Sequence, residues 1–417
     1  MTRECITLAN GLQICLEPKP DRYTAGFGIW IGAGSCMERP ENNGVSHFLE
    51  HMFFKGSRSY TGAQLAERMD AIGGRSDAYT TKEHTCFYAR TLSEHVEEGL
   101  ELLLDMVADP AMREEDFRTE RGVVLEEIGM AADDPEDAVV ERLEQAVWRK
   151  SPYGMPILGT RASVEALTLR DLQKYRRAMY VPERMVVSVA GGFDRQQVLD
   201  AVTRKFGHVR PGKAQAPGRP IAYQVSRVFE EREMEQTHLC FALPALPTRH
   251  KHFWTLNMLN NALGGCSSSR LFRRIREELG MAYSVDSAWT SYEQGGLLYI
   301  QAAVSPEQAE RAAAEIVGVL RNARNGLSEP EFRRAREWLR SSVRMDWEDS
   351  MHRATVAAED ALVHETEPDE VVLAKIDAVT RDDVNRLAAE LFDLNQLSVS
   401  VCGDIPHPEF YEKLSAE

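Results

Sequence analysis

No stretch of this 417-residue chain approaches the roughly 18 consecutive apolar residues that cross a bilayer as a helix, so no membrane span is expected. Basic charge is also short: 49 Lys and Arg stand against 65 Asp and Glu, a net charge of −16. That balance argues against a nucleic-acid partner, which needs a basic footprint. Cysteine is sparse and unpatterned. Cys5, Cys15, Cys36, Cys86, Cys240, Cys266 and Cys402 form no C-x-x-C pair, and their number is odd. This fits reduced thiols in a reducing compartment better than a disulfide framework, and it argues against a zinc site built on cysteine. The first residues, MTRECITLANGL, hold neither the apolar centre of a signal peptide nor an Arg- and Ser-rich amphipathic leader, so a cytoplasmic location is expected.

What is present is a globular composition, 43% hydrophobic and 27% charged. The length exceeds one ordinary core, and two or more domains are expected. The acidic surplus permits steering of basic ligands, although solubility alone accounts for it.

An internal repeat sets the domain organisation. Residues 167–191, LTLRDLQKYRRAMYVPERMVVSVAG, and residues 379–403, VTRDDVNRLAAELFDLNQLSVSVCG, align without a gap. Thr168 meets Thr380, Asp171 meets Asp383, Val187 meets Val399, Val189 meets Val401 and Gly191 meets Gly403. Each copy starts with a helix signal and closes with an alternating strand ending in glycine. Between the copies, residues 208–220, HVRPGKAQAPGRP, have the composition of a linker. Homologous domains are therefore expected at 1–212 and 213–417. Residues 24–32, 84–91 and 184–190 read as strands; 61–72, 93–108 and 114–130 have helical apolar spacing. Strands grouped with helices, without strict β-α-β alternation, indicate an α+β class: two homologous domains, each a mainly antiparallel sheet with helices packed on one face.

The chemistry is concentrated in GVSHFLEHMFFKG. On a helix, His47 and His51 lie one turn apart on the same face, and Glu50 shares that side. The order H-x-x-E-H inverts the zincin motif. Chance supplies only about 0.05 such patterns in a chain of this composition. A helix with two solvated histidines is the plain alternative; the added acid and the apolar Met52, Phe53 and Phe54 favour metal. Catalytic zinc takes three protein ligands and leaves a position open. The segment 114–130, EEDFRTERGVVLEEIGM, offers Glu120 and Glu127, seven apart and so nearly on one helical stripe, with Val123, Val124 and Ile128 expected to form the buried side. Glu126 competes for the ligand role, and by itself this helix reads as an ordinary acidic face.

HFLEHMFFKG followed by the E-R-x-V-V-L-E-E segment resembles the pitrilysin-type zinc peptidases, in the branch of the mitochondrial processing peptidase and its bacterial relatives. The resemblance covers nearly the whole chain, including ENNG at 41–44 and SDAYTTKEHTCFYA at 76–89. It implies one Zn²⁺ per chain held by His47, His51 and Glu127, with Glu120 supporting the site and Glu50 as general base. It implies that 76–89 forms an edge strand pairing with the substrate backbone, with Asp77, Ala78 and Tyr79 as substrate-binding residues; the family usually has Asn at the position of Asp77.

Aligning Gly56 with Gly265 sets Leu256, Leu259 and Asn260 opposite His47, Glu50 and His51, so the second domain is not expected to hold this zinc. Its segment LGGCSSSRLFRRIREELGMAYSV, 263–285, resembles the family's glycine-rich turn and its Arg/Tyr pair, here Arg276 and Tyr283. In the family this pair contacts substrate and stabilises the tetrahedral intermediate; read alone, the two would be a surface Arg and a packed Tyr. The expected activity is zinc-dependent endopeptidase cleavage of short or unfolded polypeptides. The expected assembly is a homodimer closing a chamber that family members build from four such domains. The alternatives are a subunit that needs a different partner chain and a non-catalytic scaffold that has lost its zinc ligands; the complete ligand set argues against the latter.

Overall fold

The computed structural model describes residues 3–212, 221–364 and 367–414. It forms two compact units. The first comprises Met1–Gly129, Met155–Gly218 and Arg344–Pro368; the second comprises Met130–Gly154, Arg219–Val343 and Asp369–Glu417. Residues 213–220 of the expected linker lie outside the described residues.

In the first unit six strands form one sheet: β1 (Glu4–Thr7), β2 (Gln13–Pro18), β3 (Thr24–Ile31), β4 (Arg75–Thr80), β5 (Thr85–Leu92) and β6 (Met185–Gly191). Their order is β1-β2-β6-β3-β5-β4, antiparallel except for the β2–β6 pair. Alternation along β3 sends Phe27, Ile29 and Ile31 to one face and Trp30 to the other, as the period of two requires. The Phe27 face carries the main core, closed by the helices Val45–Phe53, Val96–Ala108 and Glu114–Asp133 among others.

The opposite face, with Cys15, Trp30, Cys86 and Val186, is covered by Ser350–Leu362, which presents Ala354, Ala357, Ala358 and Ala361. Arg353, on this helix, pairs with Glu17 of β2, which is only 1% exposed.

The second unit repeats the plan with β7 (Arg227–Glu231), β8 (Thr237–Ala245), β9 (Ala282–Tyr292), β10 (Gly295–Val304) and β11 (Ser398–Gly403) in the order β7-β11-β8-β10-β9. Without β1, the first sheet has the same order, with the parallel pair in the same place. The helix Pro135–Val147 packs on β7, β8 and β11. Each sheet thus receives a helix from the other half of the sequence, an exchange that no local pattern signals.

The repeat is visible residue by residue. Thr168 and Thr380 each cap a helix, each accepting from the backbone N–H three residues on and donating to the carboxylate of Asp171 or Asp383 at 2.5 Å. The strands that follow both end on a glycine of positive φ, Gly191 at 116° and Gly403 at 142°.

Two expectations need correction. Cys5 and Cys15 are not reduced thiols: they stand directly opposite each other on β1 and β2, Cα atoms 4.2 Å apart, and are joined by a disulfide. The antiparallel register creates this pair, and sequence spacing does not reveal it. Val123 is not on the buried side of its helix but 40% exposed; Phe117, Glu120 and Val124 make the inward stripe at i, i+3 and i+7. Among the described residues, no helix is long and apolar enough to cross a membrane.

Candidate active site

The helix Val45–Phe53 is buried along most of its surface, with Val45, Phe48, Leu49, Met52 and Phe53 each at 0% exposure; His47 and His51 make up its partly open stripe. Its entry requires glycine. Gly44 has φ +91°, and a Cβ there would lie 2.6 Å from the Leu158 carbonyl oxygen. Phe48 stacks on Phe117 with ring centroids 4.8 Å apart, which docks Glu114–Asp133 against the histidine helix. That contact brings residues about seventy positions apart to one point.

Glu127 Oε2 lies 3.5 Å from His47 Nε2 and 3.3 Å from His51 Nε2. Tetrahedral bonds of about 2.0–2.2 Å place ligand atoms roughly 3.4 Å apart, which both Glu127 distances match. Among the described residues it is the one group of three or more His, Cys, Asp or Glu able to hold a metal. The outer atoms of His51 support the same reading. His51 Nδ1 is 3.1 Å from Glu120 Oε2, and Lys55 Nζ is 2.6 Å from Glu120 Oε1. With Lys55 on its other oxygen, Glu120 is placed to accept a proton from Nδ1, the tautomer that would leave Nε2 free to bind a metal. Burial, and then His51 nearby, pushes His47 down to about 3, so its imidazole is neutral and able to ligate.

Glu50 is 8% exposed and accepts a hydrogen bond from the Thr80 hydroxyl. Burial pushes its carboxyl above the usual carboxylate range, against the Thr80 hydroxyl, which holds it down. Thr80 ends β4, the edge strand of the sheet. The Thr81 N–H bonds the His84 carbonyl at 2.8 Å, which makes 81 and 84 a hydrogen-bonded pair. Alternation then turns the backbone groups of Ser76, Ala78 and Thr80 outward along the edge. The Asp77 carboxylate accepts from the Ala78 N–H at 2.8 Å, and Tyr79, on the same face of the strand as Asp77, accepts from Trp30 Nε1 at 3.3 Å.

In the second unit Leu256 and Leu259 are buried, and Asn260 Oδ1 accepts from Ser287 Oγ at 2.8 Å. Arg276 lies in a π-helical turn, Phe272–Glu278, its guanidinium carbon 4.8 Å from the Phe272 ring centroid and 4.7 Å from that of Tyr283. Tyr283, on edge strand β9, is 81% exposed, which is not the burial of a packing tyrosine. π-turns recur at functional sites, a signal that the sequence does not carry.

Sequence reasoning missed Lys55 and Thr80. Lys55 sits four residues after His51 on the same side, a readable signal; Thr80 meets Glu50 only through the packing of β4 on the helix.

Residues 13–161 match the family described as insulinase (peptidase family M16), and residues 166–339 match the peptidase M16 inactive domain. The chain is 36% identical over 407 residues to a Bacillus subtilis protein named uncharacterized zinc protease YmxG, covering 96% of this chain and 98% of that one. It is 37% identical over 394 residues to an uncharacterized zinc protease of Mycobacterium leprae, covering 93% and 88%. Among solved structures, a Helicobacter pylori protease shares the fold with a TM-score of 0.90 at 20% identity, covering 96% of this chain and 99% of the other. A chain of complex III2 from Candida albicans shares it at 0.87 and 18% identity, covering 99% of each. With both halves matched and these relatives aligned over nearly their full length, the chain belongs to the M16, or insulinase, family of peptidases.

Proposed function

We propose that the protein is a zinc metalloendopeptidase of the processing-peptidase branch, acting on short or unfolded polypeptides, with one Zn²⁺ held by His47, His51 and Glu127. The observation that carries the reading is the cluster of their ligand atoms, all within 4.8 Å of one another, with the buried Glu50 carboxylate on the same helix. Zinc in that position supplies Lewis acidity towards the attacking water and the scissile carbonyl.

The protein's own residues do the rest. Glu50 takes the proton of the attacking water and returns it to the leaving amine, with Thr80 fixing the carboxylate. Glu120 and Lys55 hold the His51 ring in one tautomer. The outward backbone groups of Ser76, Ala78 and Thr80 pair with an extended substrate, as edge strands do, with Asp77, Ala78 and Tyr79 as its contact residues. Only an extended chain can dock this way, which supports a preference for unfolded substrates. Arg276 and Tyr283 of one copy offset the charge on the oxyanion formed at the zinc site of the other copy. Two copies close the chamber as a homodimer.

A scaffold of the same fold is the rival, and the complete donor set favours catalysis over it. Purified alone, the protein is expected to elute as a dimer and to hydrolyse an unstructured fluorogenic peptide, losing activity to a chelator and regaining it with zinc. A monomer, or activity only with a second kind of chain, would count against the homodimer. Hydrolysis that survives full metal removal would refute the zinc mechanism.

A further inference from the structure

One buried carboxylate near the site has no part in the chemistry above. Glu38 is 4% exposed, and among the described residues no Lys, Arg or His pairs with it. Burial pushes its carboxyl up to about 7, and the hydrogen bonds it accepts hold it down against that cost. Those bonds come from the start of the histidine helix. Glu38 Oε2 accepts from Gly44 N–H at 2.7 Å and from Asn43 Nδ2 at 2.9 Å; Oε1 accepts from Ser46 N–H at 2.8 Å. Gly44, the capping residue, has no side chain with which to do this. The first N–H groups of a helix lack intrahelical partners and carry partial positive charge, so a carboxylate from outside the helix meets both needs.

The segment bearing Glu38 is fastened at a second place. Ser35 N–H bonds the Thr81 carbonyl at 3.1 Å, and Cys36 N–H bonds the Lys82 carbonyl at 2.8 Å. These are the turn residues between β4 and β5, directly after Thr80. Residues 35–38 therefore tie the hairpin that delivers Thr80 to the helix that delivers His47 and Glu50.

We propose that Glu38 is a positioning residue that locks the metal-binding helix to the edge-strand hairpin and so sets His47 and Glu50 in register with Thr80. This rests on the zinc-peptidase reading. A residue that merely stabilised the fold would change the unfolding temperature alone. A positioning residue changes metal affinity and turnover in protein that is fully folded.

The test compares Glu38→Gln with wild type, at a temperature where circular dichroism shows the metal-free forms folded. Zinc affinity is read by competition with a chromophoric chelator, and peptide hydrolysis is read at saturating zinc. Glu38→Gln is expected to weaken zinc binding about tenfold and to lower kcat about tenfold with KM within about twofold. Thr61→Ala, which removes the cap of the neighbouring helix Gly62–Ala71, is the control. It should lower the unfolding temperature and leave zinc affinity and kcat unchanged.

If Glu38→Gln fails to fold, Asn43→Ala removes one donor and should shift zinc affinity in the same direction, about two- to threefold. A folded Glu38→Gln with wild-type zinc affinity and kcat overturns the proposal, as does an unchanged Asn43→Ala. A wild-type protein that binds no zinc overturns the peptidase reading itself.

Discussion

Glu50→Gln is expected to lower kcat by about 10³-fold while leaving the zinc content at the wild-type level. The amide has the shape of the carboxylate and can still accept from the Thr80 hydroxyl, so the helix keeps its packing. It cannot accept the proton of the attacking water. General-base catalysis of this kind contributes about 10²–10⁴-fold, and a 10³-fold loss corresponds to about 4 kcal/mol of barrier. The ligand set does not include Glu50, which faces Thr80 rather than the point between His47, His51 and Glu127. The check is a paired measurement of turnover and zinc per chain. Turnover within tenfold of wild type would remove Glu50 as the base, and loss of the metal would make it a ligand.

Glu127→Gln is expected to show the reverse pattern, a weakened metal site with activity recovering as zinc is raised. An amide oxygen is a poorer ligand than a carboxylate. The loss should exceed the about 10–100-fold that changes in supporting groups cost. Glu126→Gln is the internal comparison. The two are neighbours in sequence, but a helix turns about 100° per residue, and Glu126 is exposed while Glu127 Oε2 lies between the two histidines. Glu126→Gln should bind zinc as wild type does. Competition with a chelator across the three proteins checks this, and a weakened Glu126→Gln beside an unaffected Glu127→Gln would reverse the assignment.

The parts of this protein legible in the sequence are those coded over short distances. The H-x-x-E-H spacing puts two imidazoles on one helical stripe by helix geometry alone. The capping boxes at Thr168 and Thr380, and the strands ending in Gly191 and Gly403, could be read from their residues and are found there. The strand expected at 24–32 is Thr24–Ile31, and the helix expected at 114–130 is Glu114–Asp133.

What escaped depends on register and packing. The Cys5–Cys15 disulfide exists because β1 and β2 pair in one particular register. Val123 and Val124 are equally apolar, and only the docking of Phe117 on Phe48 decides which of them is buried. The exchanged helices Pro135–Val147 and Ser350–Leu362 are amphipathic or alanine-rich pieces whose sequences do not say which sheet they cover. Thr80 reaches Glu50 across thirty residues, and Glu38 reaches the helix through a bend in the chain, so neither belongs to a motif.

The central claim is that His47, His51 and Glu127 hold a metal at which peptide bonds are cut. Its most direct test is the metal content of the wild-type protein, purified, supplemented with zinc, passed through a desalting column and analysed by inductively coupled plasma mass spectrometry. One zinc per chain is expected. No retained zinc in folded wild-type protein would contradict it.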